Sequence, residues 1–349
     1  MRAWLRNPRL FWNSFQYISG LRISRLVRLT RRPDATYRAI AFGVPEEHWD
    51  AFEAAYPEYE MIFARPDIMA SELRLALAPK NTVLLAFDGA PQRTIQVATH
   101  MFDVLVFHAS FAPVPMLERG EDSARGFMID TMGDWLKARR QTEVSIFLDN
   151  LDLSGRDRLL AASRHLLEAT APMPTGEGCL ILQSVSTSVR ANDESALRTL
   201  AADIAPPEAW VIFDGATQNS WSAPDVVLDY LSKLAGCNTV VAVDNPLALL
   251  AVLYGRRVVV SGRPFWAGFG LTSDANIVKR RRDLSQQEMV AILVFILSRY
   301  VDEGNRLIDP ADDWALPGFV RLPHDATTAR SDQVDSARPD DAGTVGHER

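Results

Sequence analysis

Short, uniformly apolar runs alternate along the chain with longer stretches of helical periodicity. Runs of this kind are too apolar for half-exposed strands and read as strands buried on both faces. In the first half they fall at residues 37–43, 59–63, 83–87, 104–107 and 126–129. Helical patterns lie between several of them, at about 45–56, 68–78 and 92–101, and 142–170 reads as one or two helices. In the second half the strands are 179–183, 209–213, 239–243 and 257–260, interleaved with helices at 191–204, 224–235 and 246–254. Asn192 suits an N-cap and Pro246 a first helical position. Ser285-Gln-Gln-Glu288 reads as a capping box opening a last helix to about Tyr300. Strands alternating with helices predict α/β architecture with parallel, doubly wound sheets.

Between the halves, Ala171-Pro-Met-Pro-Thr-Gly-Glu-Gly178 breaks the pattern and predicts a linker. The expected organisation is therefore a basic arm (1–35), a first Rossmann-like domain (36–170), the linker (171–178) and a second Rossmann-like domain (179–324). Residues 325–349 lack large apolar side chains and are expected to be disordered.

Composition narrows the classes. At 349 residues, 47% hydrophobic and 23% charged, the chain is globular and long enough for two domains. No apolar run approaches the roughly 18–20 residues that span a bilayer, and no signal-peptide pattern opens the chain. Cys179 and Cys237 are the only cysteines and the six His lack ligand spacing, so neither a disulfide framework nor a metal site is expected. The expected address is cytoplasmic.

The total charge of −7 hides an asymmetry. Residues 1–33 hold eight Arg and no acid, a local +8 that leaves −15 for the remainder. Nucleic acid is a poor partner for such a chain. Arg22, Arg25 and Arg28 recur at a spacing that puts them on one side of a helix, among Trp4, Phe11, Trp12, Phe15 and Tyr17. Aromatics with cations and no acids fit contact with the inner-membrane surface. Docking on a partner protein and a solvated helix packed on the fold are the alternatives.

One stretch stands apart. Arg257–Val260 leads into a loop with Gly262, Pro264, Gly268 and Gly270, carrying Arg263, Phe265, Trp266, Thr272 and Asp274. A glycine-rich loop leaving the carboxyl end of a buried strand is where open α/β sheets place ligands. A tight connection whose aromatics plug the core is the competing reading.

Arg263-Pro-Phe-Trp-Ala-Gly-Phe-Gly-Leu-Thr-Ser-Asp274 resembles the Pro-Phe-Tyr-Ala-Gly-Trp-Gly-Leu-Thr signature of the capsule polysaccharide biosynthesis family, whose characterised members are Kdo (keto-deoxy-octulosonate) transferases. The following Lys279-Arg-Arg-Arg282, Leu284-Ser285 and Arg299-Tyr-Val-Asp302 agree. The resemblance implies a GT-B-like fold, with two Rossmann-like domains whose parallel sheets face a cleft. It also implies a CMP-linked sugar donor, a glycan or glycolipid acceptor, and no cofactor or metal. On that basis Arg263, Pro264, Phe265, Gly268, Gly270, Thr272 and Asp274 are candidate donor-binding residues, together with Gln183, Ser188, Asn245, Arg280 and Arg282. A solvated basic patch is the alternative for the cluster 279–282. Candidate catalytic groups are Asp214 and Asp244 after strand ends, and His108 in the loop expected after 104–107. For each, a turn, cap or structural role is the competing reading.

Departures from the family pattern are specific. Gln183-Ser-Val-Ser-Thr-Ser188 lacks the family's Asp, Ile212-Phe-Asp-Gly-Ala216 lacks its His and Lys, and an apolar residue at about Leu250 replaces its ribose-binding glutamate. His108-Ala-Ser-Phe-Ala112 keeps a Phe but lacks that segment's acid and arginine, and Gly126-Phe-Met-Ile-Asp130 resembles a strand ending in Asp, followed by Gly133. These changes leave three functions open: a Kdo-type transferase, a transferase for another nucleotide-sugar, and an inactive assembly or regulatory subunit.

Overall fold

The computed structural model describes residues 26–29, 37–65, 82–87, 90, 95, 105–119, 122–132, 142–169, 176–183, 190–214, 224–276, 279–311 and 318–319. The expected helices at 68–78 and 92–101, residues 1–25 and 30–35 of the arm, Gly133, residues 171–175 of the linker, Ser188 and the tail lie outside them. The first sheet is built from β1 (Leu26–Leu29), β2 (Tyr37–Phe42), β3 (Tyr59–Ala64), β4 (Thr82–Phe87), β5 (Val106–Arg119) and β6 (Asp122–Asp130). The second holds β7 (Gly178–Leu182), β8 (Trp210–Phe213), β9 (Cys237–Ala242), β10 (Arg257–Val260) and the short β11 (Ser273–Asp274). The strands β12 (Ser298–Asp302), β13 (Leu307–Ile308) and β14 (Gly318–Phe319) return to the first sheet.

The second sheet matches its expected strands closely, with β11 added at one edge. All its pairings are parallel, in the spatial order β8-β7-β9-β10-β11. β7, β9 and β10 bury nearly every residue because both faces are covered, whereas the edge strand β8 buries only Phe213 and leaves Ile212 exposed. Cys179, Ile181, Val241 and Val259 meet Leu197 and Ala201 of helix Arg190–Ala202. Leu180, Leu182, Val240, Ala242, Val258 and Val260 face the opposite core, with helices Pro224–Leu234 and Leu247–Leu253. That core also takes in Ala112, Val114 and Met128 of the first sheet, so one apolar interior joins both sheets. Two helix starts differ from expectation. Helix Arg190–Ala202 begins two residues before Asn192, which is therefore no N-cap, and Pro246 occupies the N-cap rather than the first turn.

The first sheet is mixed rather than wholly parallel as predicted. Its parallel part has the order β3-β2-β4-β5, the same winding as β8-β7-β9-β10. β5 then runs on for 14 residues and returns as β6 after only Gly120 and Glu121. Two residues leave no room for a crossover helix, so the pair is antiparallel. Pro113 and Pro115 fall where the β5–β6 register is broken between Phe111 and Met116, a place where proline does no harm to the ladder.

The predicted last helix also ends early. The Ser285–Glu288 capping box forms in both directions, but the α-helix stops at Val290, passes through a π-helical stretch to Ile296, and gives way to β12. Ser298 Oγ donates to the Leu293 carbonyl at 2.6 Å, closing the helix end. β12 then pairs antiparallel with β6, setting Tyr300 opposite Gly126. The fully buried Tyr300 ring passes over that glycine, where a Cβ would lie 2.5 Å from Cε1, and its hydroxyl donates to Val114 O at 2.8 Å. Leu26–Leu29 also departs from the expected helix through Arg28, pairing antiparallel with β3 as an edge strand.

His48 offers a check on the first core. It is buried, edge-on to Phe111 at 5.0 Å, and its Nδ1 lies 3.3 Å from Arg125 Nη1. Burial, then the Arg125 guanidinium, hold its pKa below the usual value, against a smaller upward pull from Glu47. The folded state thus binds fewer protons here than the unfolded chain. Stability is expected to fall as the pH drops through about 6.5 toward the folded-state value, and to be insensitive to this group above it. Melts between about pH 5 and 7.5 should show that slope in the parent chain and a flatter one in His48→Asn.

Candidate functional site

In the second sheet the chain leaves β7 toward β8 on one side and β9 toward β10 on the other, so the strand order reverses between β7 and β9. Outside the carboxyl ends at such a point the connections diverge and leave a crevice, the usual ligand position in open α/β sheets. Gln183, Asp214, Asp244-Asn245 and Ser261-Gly262 follow β7, β8, β9 and β10 there. Asn245 is fully buried. Its Nδ2 donates to Gln183 O at 2.8 Å and its Oδ1 accepts from Leu247 N at 3.0 Å. Gln183 N donates to Phe213 O at 3.2 Å. These bonds tie the ends of β7, β8 and β9 into one rim. Gly262 lets β10 approach that rim, since a Cβ on it would overlap the Val243 carbonyl.

The loop from Arg263 to Asp274 combines both readings of its sequence. Phe265, Trp266 and Phe269 are buried, with Phe265 and Trp266 edge-to-face at 5.0 Å, so the aromatics do plug the core. Gly268 and Gly270 have φ of 83° and 84°, a left-handed conformation that side-chain-bearing residues rarely adopt. Asp274 gathers the loop: its carboxylate accepts from Gly268 N at 2.8 Å and from Thr272 Oγ1 at 2.7 Å. Pro264 is buried, whereas Arg263 is exposed.

Arg280 holds the loop from the other side. Its guanidinium donates to Ala267 O at 2.9 Å, Phe265 O at 2.8 Å and Pro264 O at 3.3 Å, and lies over the Phe269 ring at 4.7 Å. Arg282 Nε donates to Leu148 O at 3.1 Å, and Arg281 to the Asn150 side chain. Leu148 and Asn150 form the last turn of helix Glu143–Asn150, where cations also oppose the negative end of the helix dipole. Asp149 of that turn lies 3.8 Å from Arg280. The sequence placed Arg280 and Arg282 on the donor; the structure turns both onto protein acceptors. Asp130 takes the other end of the same helix, accepting from Glu143 N and Val144 N as well as Met132 N. Burial still raises the Asp130 pKa against those bonds.

Not all the candidate residues meet. β8 and β10 are three strand spacings apart, about 14 Å, so Asp214 and Arg263 follow well-separated strands of the sheet. Asp244 follows β9, one spacing of about 5 Å from β10, and is half-buried beside the rim. Asp214 is exposed. His108 is not in a loop: β5 starts later than expected, and His108 is its third residue, opposite Asp130 in the first sheet. Ser188 lies outside the described residues. Sequence reasoning missed Asp149 and the capping role of Asp130, because each acts on a segment distant or unmarked in the chain. The one available signal was the Thr142 and Glu143 helix start soon after a strand-ending Asp.

A depression of about 620 Å³ along Glu194, Arg198 and Asp203 follows a charged side of helix Arg190–Ala202. The crevice at the strand ends outranks it because backbone groups and loops converge there. Among the described residues no three His, Cys, Asp or Glu gather as a metal site, and no helix is long and apolar enough to cross a membrane.

The fold has solved counterparts. A beta Kdo 2,7 transferase KpsC structure from Thermosulfurimonas dismutans aligns with a TM-score of 0.56 at 15% identity, covering 79% of this chain and 97% of that one. A beta Kdo 2,4 transferase KpsC structure from the same organism aligns at 0.52 and 12% identity, covering 80% and 97%. No protein-family model and no curated protein sequence matches the chain. The resemblance carried by the signature loop is thus met at the level of the fold.

Proposed function

We propose that the chain is a divergent capsule polysaccharide glycosyltransferase of GT-B type, moving Kdo or a related acidic sugar from a CMP-activated donor to a glycan or glycolipid acceptor. The observation that carries this reading is the signature loop, which leaves β10 beside the strand-order reversal of the second sheet, in a fold similar to that of Kdo transferases. In this reading the donor lies across the carboxyl ends of β7, β9 and β10. Arg263 is the exposed cation of the loop and meets the donor phosphate or the sugar carboxylate through a charge-assisted hydrogen bond. Gly268 and Gly270 keep the loop backbone open to close approach. Asp244, near β10, is the best-placed carboxylate to stabilise charge at the sugar.

Calorimetric titration with CMP, CDP, UDP and GDP tests the donor class. CMP at a hundred times its dissociation constant should add roughly 2.7 kcal/mol of stability. Arg263→Ala is expected to weaken CMP binding by about ten- to a hundredfold, the worth of one hydrogen bond to a charged group. Its melting temperature without nucleotide should be unchanged, because the side chain is exposed. Undiminished CMP affinity in this variant would count against the assignment. A second reading, a non-catalytic assembly subunit on the same fold, is favoured by the absence of a carboxylate in Gln183-Ser-Val-Ser-Thr-Ser188. Failure of all four nucleotides to bind would select it.

A further inference from the structure

Helix Glu143–Asn150 is held at its two ends by different parts of the fold. At its amino end Asp130, the last residue of β6 and only 1% exposed, accepts from Glu143 N at 3.1 Å and Val144 N at 3.2 Å. Its Oδ1 also accepts from Met132 N at 2.9 Å. Glu143 closes the clamp in return, accepting from Thr131 N at 3.1 Å and Thr131 Oγ1 at 3.0 Å. At the carboxyl end Arg282 reaches Leu148 O, Arg281 the Asn150 side chain, and Arg280 lies beside Asp149. Arg280 is also the residue that takes the carbonyls of Pro264, Phe265 and Ala267. Eight residues of helix, about 12 Å, therefore separate the end of β6 from the cations that grip the glycine loop.

We propose that Asp130 is a positioning residue for the glycine loop, acting through this helix. Val144 and Leu148, one turn apart, are buried in the core that joins the two sheets. Apolar packing is non-directional: it decides which side of the helix faces inward, not where along its axis the helix rests. The directional bonds at the ends decide that, with a carboxylate at the positive end of the dipole and cations at the negative end. Fixing the amino end fixes Leu148, Asp149 and Asn150, hence Arg280–Arg282, and through Arg280 the backbone from Pro264 to Ala267. The end of the first sheet thereby shapes the crevice of the second. This deepens the donor-site reading by naming what shapes that site, and rests on that reading only for what the loop binds. The dependence of the loop on Asp130 holds whatever its ligand.

The test is amide hydrogen exchange of the full chain without nucleotide, so its outcome is independent of the CMP titration. The reporters are Gly268 N, bonded to Asp274, and Leu284 N, bonded to Phe269 O. Asp130→Asn keeps the shape but has one acceptor oxygen, and turns an NH2 group toward a helix amide. Both reporters should exchange about tenfold faster in it, the worth of one hydrogen bond to a charged group. Amides of the β7–β9 ladder should exchange as in the parent, which a general loss of stability would not allow. Glu143→Ala opens the other half of the clamp and should accelerate the reporters about threefold; it decides the matter if Asp130→Asn loses ladder protection. A combined Arg281→Gln, Arg282→Gln variant leaves only the longer Arg280–Asp149 contact to join helix and loop. Adding Asp130→Asn to that variant should then accelerate the reporters by less than about threefold. Reporters unmoved by both Asp130→Asn and Glu143→Ala overturn the proposal. A full tenfold effect in the combined background also overturns it, since Asp130 would then act by a route other than the helix.

Discussion

Arg280→Ala is expected to lower the unfolding free energy by about 3 kcal/mol and to abolish nucleotide binding. The guanidinium is largely buried and serves three loop carbonyls, the Phe269 ring and Asp149 at once. A hydrogen bond to a charged group contributes about 1.5–3 kcal/mol, and a buried acceptor left unpaired adds its own desolvation cost. The longer Asp149 contact adds less than the carbonyl bonds, so the loss is mainly that of the staple. Burial lowers the Arg280 pKa, while Asp149 and Asp274 pull it upward. A guanidinium fork reaching Ala267 O through Nε and Phe265 O through Nη2 has no ammonium equivalent, so Arg280→Lys should recover only a small part. Chemical denaturation measures the stability and calorimetry the binding. An Arg280→Ala protein as stable as the parent would show that the loop holds itself.

Gly262→Ala should be comparably damaging for a different reason. Its φ is ordinary, but an added Cβ would overlap the Val243 carbonyl oxygen and lie 2.9 Å from the carbonyl carbon. Both neighbours are backbone at the end of the β9–β10 ladder, where Val260 pairs with Ala242, so no side chain can rotate aside. Overpacking of this kind costs about 1–3 kcal/mol and occasionally more, and here the strain falls on the rim that Asn245 ties together. Gly270→Ala makes the useful contrast. It meets Asp283 at an ordinary 3.4 Å, and its penalty, about 1–2 kcal/mol, comes from the left-handed backbone. The expected order of melting temperatures is parent, Gly270→Ala, then Gly262→Ala. The reverse order for the two variants would show that β10 can shift away from β9.

The second sheet was legible because its strands obey a local rule: a run buried on both faces must be apolar throughout, and each is followed by its own helix. The glycine loop was legible because glycines and aromatics at fixed spacing mark backbone constraint and burial together. Non-local pairing was not legible. Ser298–Asp302 continues an apolar helical pattern, and only Gly126, far away in sequence, reveals that a strand carrying Tyr300 must lie across it. The role of Arg280 was hidden likewise, because a cluster of cations looks the same whether its acceptors are phosphates or carbonyls of a folded loop. Arg263 and Arg280 differ only in what surrounds them, and composition carries no record of that.

Completion of the first sheet by β12 has a consequence for synthesis on the ribosome. β6 is made by residue 130, yet the strand that covers its outer edge is not made until residue 302. At the usual elongation rates that interval is roughly 10–35 s. Throughout it, Ala124–Met128 present an unpaired strand edge, the feature through which nascent chains aggregate or recruit chaperones. Aggregation of the nascent chain is thus expected to depend on how quickly residues 298–302 follow residues 122–130.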